Sequence, residues 1–368
     1  MAGFRGALLN PYGVNVATAS SLPLTGVKAK LLAQELVQDS HPSVYRYHQT
    51  FSGKTRKTVV AVMELQPWSA GTIRAHERTL PMARELATRG ITNEAAHTEA
   101  VFCGFPDRER EVDRVLALIE RQQPTLVVTT ADGTVHTVWR ESDPFVLKRL
   151  RDLFESKDLH VLDGNGRYEG MLEYRDSLGP LPAHSTARYG LACLVNISDP
   201  ALQAVARHRV LRGGTSRAEV LTAAQQFFAY DRIEGAAEDF AKQREALAGL
   251  GDDRGFLALF PDDPDAWRLR LLPGISVGGA KIDTVVLENL FIPRVVPGAQ
   301  ARSVVEPSTV TRAVADGAIG LIMRPTALEH ALRAEESGEL LPFGSTAFLP
   351  PLARLVTFLI DPNELLDV

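Results

Sequence analysis

"HVLDGNGRYEGMLEYRD", residues 160–176, decides how the chain is read. An apolar run, His160 to Leu162, ends at Asp163. A Gly-Asn-Gly turn follows, then Arg167 and a stretch of helical composition. The pattern predicts a strand, a tight turn and a helix, with residues 164–167 at the helix N-terminus. Such a unit aims the free N–H groups of the first helical turn, and the positive end of the helix dipole, at one spot. Gly164 and Gly166 allow close backbone approach to an anion. Arg167 offers a forked cation for phosphate oxygens, and Asp163 an acid for Mg²⁺ or a proton. A plain capped helix, with Asp163 as cap and Arg167 solvated, satisfies the same local pattern.

Outside this stretch the composition is that of a globular protein. Of 368 residues, 45% are hydrophobic and 23% charged, which argues against a disordered or fibrous chain. The formal net charge of −5 leaves no nucleic-acid footprint. The two cysteines, Cys103 and Cys193, belong to no CxxC or Cys/His cluster. A reducing cytoplasm without structural zinc is expected. Asn10, Pro11 and Asn15 interrupt the apolar run of a leader, and no apolar stretch reaches 18 residues, so neither a signal peptide nor a membrane span is expected.

Along the chain, residues 43–48 and 58–66 read as paired strands, and 79–90 as a helix with Pro81 in its first turn and Gly90 as its stop. Residues 100–105 read as a buried strand and 110–123 as one amphipathic helix. Asp132-Gly133 centres a hairpin, expected with a two-residue turn. Asp143-Pro144 opens a helix. After the turn at 163–167, a strand is expected at 189–197, a helix from 198 with the same Asp-Pro device, further helix at 215–233 and 235–251, and a hairpin at 254–272. Helix at 283–292, strand at 317–325, a helix at 326–338 capped by Thr326 and a final strand complete the reading. The fold class is α/β, mixed α+β, with a mixed sheet. Two regions are expected, 1–195 and 196–368.

Three segments in order resemble the free serine kinases of the ParB/sulfiredoxin superfamily, and the large serine-kinase-like branch related to them. "VLDGNGRYEGM" (161–171) resembles their phosphate turn. "IRAHERTLPMARE" (73–85) resembles a His-Glu motif, and "ESGELLPFGSTAFLPP" (336–351) a Gly-Glu…Pro-Lys-Ser/Thr-Thr motif. The resemblance implies a ParB/sulfiredoxin-like core with a second α/β subdomain that contributes the 336–351 loop. It implies ATP or ADP with Mg²⁺, and a small-molecule substrate. Nucleic acid and membrane are not expected as partners; a homodimer stays open. Glu77 is then the base for the acceptor hydroxyl, and His76 a second catalytic residue that orients Glu77 or contacts phosphate. Asp163 is catalytic and metal-binding. Gly164, Asn165, Gly166 and Arg167 hold phosphate, and Glu339, Ser345 and Thr346 hold the acceptor. All are expected to line one cleft.

The departures carry equal weight. Asn165 and Gly166 stand where the family has paired histidines, and Gly344 where it has lysine. Phosphoryl transfer is catalysed mainly by positioning and charge neutralisation. Three lost donors or cations are therefore expected to leave phosphotransfer low, and Asn165→His, Gly166→His with Gly344→Lys to raise it. Three readings stay open: a phosphotransferase acting on serine or a related hydroxy amino acid, a nucleotide- or phosphoamino-acid-binding protein without kinase chemistry, and a diverged enzyme with other chemistry on an amino-acid-like substrate. Joint retention of Glu77 and Asp163 tilts toward an enzyme.

Overall fold

The computed structural model describes residues 1–9, 36–213 and 215–367. Residues 10–21, part of the stretch read for a leader, lie outside the described residues. The fold is mixed α+β, and the chain divides into two compact units. The first comprises 1–75, 79–203 and 350–368, the second 76–78 and 204–349.

The first unit is built on an eight-stranded mixed sheet. Its order is Ile73–Ala75, Leu159–Asp163, Val101–Phe105, Tyr189–Asn196, Lys54–Glu64, Val44–Phe51, Val135–Glu141, Leu126–Thr129. Leu159–Asp163 pairs in parallel with Ile73–Ala75 and antiparallel with Val101–Phe105. The central Tyr189–Asn196 is buried along its whole length, as a strand covered on both faces must be. Val59, Ala61, Cys103, Val161, Ala192 and Leu194 share one core with Tyr168 and Met171 of the helix after the glycine turn. A four-stranded antiparallel sheet joins Ala7–Leu9 and Leu36–Gln38 to Ala96–His97 and Val356–Leu359. No helix among the described residues is long and apolar enough to cross a membrane.

The second unit is an antiparallel six-stranded sheet, ordered Phe228–Ile233, Ala266–Leu271, Gly255–Leu259, Ile319–Ile322, His208–Arg212, Gln300–Val304. Alternation sends Leu211, Phe256, Ala258, Leu269 and Leu321 to one core and Val210, Leu257, Leu259, Ala266 and Ile322 to another. Both faces are therefore covered.

Asp143 caps the Pro144–Phe154 helix as expected, accepting from the Phe145 and Val146 amides. Other elements differ. The helix from Pro81 runs past Gly90 to Glu94 and ends at Ala95 in the left-handed region (φ 47°). Residues 110–123 break into a helix, Glu111–Leu116, and a separate turn, Ile119–Arg121. The hairpin at Asp132 has a five-residue connection, held by Asp132 accepting from the Thr130 hydroxyl and the Thr134 amide. Asp199-Pro200 opens a turn rather than a helix: Asp199 accepts from the Ala201 and Lys57 amides, and the chain proceeds to the His208–Arg212 strand. Phe228–Ile233 is a strand paired with Ala266–Leu271, not helix. Thr326 does not cap; the helix starts at Leu328 after Ala327.

Candidate functional site

In the first unit, the strand Leu159–Asp163 ends at Gly164, whose φ of 100° lies in the left-handed region, and the helix Asn165–Ser177 starts at the next residue. Gly164 is the N-cap and has no side chain with which to satisfy the first-turn amides. A Cβ there would come 2.8 Å from Nε and Nη2 of Arg167. Glycine is thus favoured by the backbone angle, and any side chain there would push aside the arginine folded over it.

Asp163 does not cap the helix. Its carboxylate accepts from Arg167 Nη2 at 2.9 Å, while Arg167 Nη1 donates to Glu99 at 3.2 Å. The guanidinium thus bridges two half-exposed acids. Glu99 was not singled out by sequence reasoning. Among the described residues no group of three or more His, Cys, Asp or Glu is gathered to hold a metal alone. Asp163 and Glu99 offer two carboxylates, and Mg²⁺ uses one or two where substrate phosphates supply further oxygens.

Gly166 and Gly170 have a role the sequence did not show. They face the Pro81–Glu94 helix, and a Cβ on Gly166 would lie 2.8 Å from the Ala83 Cβ and 3.1 Å from its carbonyl carbon. Gly170 meets Ala87 at 2.7 Å in the same sense. Gly166 is a helix-crossing point, so a histidine there would separate the two helices before it donated to any phosphate. Tyr168 fixes the helix start: its hydroxyl donates to the Gln66 carbonyl at 2.6 Å and accepts from the Gln66 amide at 3.0 Å. Burial pushes that phenol up to about 12.

Beside Arg167 lies a cavity of about 280 Å³ lined by Ala83, Leu86, Ala87, Glu99 and Met171, near the lower size limit of ligand cavities. His97 also lines it but is buried. Its Nε2–H donates to the Tyr189 carbonyl at 3.2 Å, and burial lowers its pKa to about 4. It is therefore neutral at pH 7.

In the second unit, His76–Arg78 runs beside Leu341: the Leu341 amide donates to the His76 carbonyl and the Arg78 amide to the Leu341 carbonyl, both at 2.9 Å. This pairing gathers His76, Glu77, Ser345 and Thr346. The Glu77 carboxylate accepts from the Ser345 amide at 3.1 Å and the Thr346 amide at 3.4 Å. His76 Nε2 lies 2.6 Å from the Thr346 hydroxyl and 3.9 Å from Glu77. The Ser345 hydroxyl donates to the Pro342 carbonyl at 2.6 Å. Glu339 is differently employed, accepting from the Ala280 amide at 2.9 Å beside Gly279.

Arg209 braces the same loop, and sequence reasoning missed it. Fully buried, it donates to Glu288 at 3.0 Å, to the Ser303 hydroxyl at 3.2 Å, and to the Phe343 and Gly344 carbonyls at 3.2 Å each. Burial lowers its pKa and Glu288 opposes that shift. Gly344 is left-handed (φ 71°), and a Cβ there would meet the Ser303 hydroxyl at 3.2 Å and Arg207 Cδ at 3.3 Å. A lysine at 344 would be strained and crowded.

The model of a family described as "Protein of unknown function (DUF1015)" matches residues 27–279. No curated protein matches the sequence. Among solved structures, a free serine kinase in complex with AMP is 12% identical over 83% of this chain and 93% of its own, with a TM-score of 0.44. A conserved hypothetical protein from Pyrococcus furiosus is 11% identical over 80% and 92%, with a TM-score of 0.42. SbnI with a C-terminal truncation, from Staphylococcus aureus, is 11% identical over 80% and 84%, with a TM-score of 0.41.

Proposed function

The chain belongs to the DUF1015 family, and we propose that it is a phosphotransferase-like enzyme that moves phosphate from ATP or ADP to the hydroxyl of free serine or a related small hydroxy amino acid. The core is taken as ParB/sulfiredoxin-like on the three motif resemblances. The observation that carries the reading is the glycine turn. An uncapped helix N-terminus follows a buried strand, with an arginine and two acids gathered at its mouth.

In this reading the Gly164–Arg167 backbone receives phosphate oxygens. Arg167 turns from its carboxylates toward that phosphate, which frees Asp163 and Glu99 for the cation that accompanies it. Mg²⁺, when bound, neutralises phosphate charge. Glu77 accepts the proton of the acceptor hydroxyl, whose oxygen forms the new P–O bond while the bond to the nucleotide breaks. His76 and the Ser345 and Thr346 amides hold the Glu77 carboxylate in place, and the loop hydroxyls contact the acceptor. Glu339 acts by fixing the turn at 279–280. Two buried free cysteines suit a reducing cytoplasm.

A second reading has its own support. Both key groups are already engaged, Glu77 by two amides and Arg167 by two acids. A protein that binds a nucleotide or phosphoamino acid without chemistry, or a diverged enzyme acting on an amino-acid-like substrate, would tolerate that engagement. Incubation with ATP or ADP, Mg²⁺ and a panel of hydroxy amino acids, followed by mass analysis, separates them. A phosphorylated acceptor is expected; nucleotide binding with no phosphorylated product favours the second reading.

A further inference from the structure

Among the described residues, the second unit holds a cation without a counter-ion. Arg207 directly precedes the His208–Arg212 strand, two residues from Arg209. Arg209 is balanced by Glu288, but among the described residues no carboxylate lies within ion-pair distance of Arg207. Its Nε is buried and lacks a hydrogen-bond partner. The guanidinium sits 5.7 Å from the centre of the Phe343 ring, and its stem lies against Gly344. Arg207 and Arg209 are close enough for one charge to lower the pKa of the other. A half-buried guanidinium beside a second one, fixed by an aromatic ring and a glycine, is set to receive an anion with little loss of side-chain freedom.

We propose that Arg207 is the oxyanion-binding residue of the 343–346 loop and takes a carboxylate or phosphoryl group of the small molecule held there. This rests on the reading of that loop as acceptor-binding. Gly344 is part of the same device: its missing side chain leaves the space that the Arg207 stem fills. The positive charge that sequence comparison finds absent at 344 is supplied from 207. The guanidinium fork donates two parallel hydrogen bonds to the oxyanion.

Calorimetry with four probes tests the proposal without requiring turnover. These are L-serine, which has only a carboxylate, phosphoethanolamine, which has only a phosphoryl group, O-phospho-L-serine, and ADP with Mg²⁺. Arg207→Gln should weaken O-phospho-L-serine at least about tenfold, while Arg207→Lys loses less and ADP affinity stays within about twofold. A matching loss for L-serine assigns the site to a carboxylate, and one for phosphoethanolamine to a phosphoryl group. Circular dichroism shows that each variant is folded; should Arg207→Gln not fold, Arg207→Lys against wild type carries the comparison, with a weakening of about threefold or more expected. Equal oxyanion affinities in wild type and folded variants overturn the proposal, as does failure of wild type to bind any oxyanion probe at millimolar concentration. Arginine-dependent binding without phosphotransfer sinks the kinase reading and leaves this inference standing. Phosphotransfer unchanged in Arg207→Gln does the reverse.

Discussion

Gly166→Ala and Gly90→Ala should move stability in opposite directions, although both replace a glycine inside a helix. At Gly90 a Cβ meets nothing within 4 Å, so alanine contributes only its better helix propensity, about 0.5–1 kcal/mol. At Gly166 the same Cβ lies 2.8 Å from Ala83 Cβ, 3.1 Å from Ala83 C and 3.2 Å from Arg84 N. Two of those atoms are backbone of the facing helix, so relief requires moving a helix rather than rotating a side chain. Overpacking of this kind costs about 1–3 kcal/mol, which exceeds the propensity gain. The net loss is about 0.5–2 kcal/mol. For a unit of this size that lowers Tm by roughly 1–8 °C, while Gly90→Ala raises it by roughly 1–4 °C. Thermal melts of wild type and both variants, followed by circular dichroism, measure the difference. Because the chain has two units, the transition to compare is that of the first, identified by which melting step Gly90→Ala shifts. Equal stabilisation by both alanines would refute the close helix crossing and restore Gly166 as a site open to histidine.

Gly164→Ala should cost about 1–2 kcal/mol from left-handed strain and push Arg167 off Asp163, seen as a lower urea midpoint and weaker ADP binding. Asp163→Asn and Glu99→Gln should each reduce the Mg²⁺ dependence of nucleotide affinity by calorimetry; an unchanged dependence in both removes them from the metal. His97 is neutral in the folded protein, with a pKa near 4 against about 6.5 unfolded. The unfolded chain therefore binds the extra proton first as pH falls. The stability from neutral His97 is fully present above pH 6.5 and declines toward pH 4, by up to about 3 kcal/mol. Urea midpoints from pH 7.5 to 4 should show a decline in wild type that is shallower in His97→Phe, and parallel profiles would count against it.

Local signals carried much of the fold. The strand–turn–helix at 159–177, the capped helix at Pro144 and the hairpin at 255–271 each follow from residues adjacent in sequence. Where pairing partners are distant, local pattern misled. Phe228–Ile233 has helix formers upstream, yet one of its edges pairs with Ala266–Leu271, and His208–Arg212 is held between Gln300–Val304 and Ile319–Ile322. Gly90 looks like a stop, but it lies on an open helix face where glycine costs only propensity. The candidate site divides the same way. Asp163, Gly164 and Arg167 could be read together, being neighbours. Glu99 and Arg209 join their partners only through the fold, and Gly166 reveals its packing role only against Ala83.

The most direct test is the rate of phosphoserine formation from ATP or ADP with Mg²⁺ and L-serine, measured by mass for wild type, Glu77→Gln and Asp163→Asn. Loss of a general base typically costs about 10²–10⁴ in rate. The account predicts measurable though slow product in wild type and a fall of that order in Glu77→Gln, with Asp163→Asn also impaired. Product formed equally by all three proteins, or by none under saturating substrates, would contradict it.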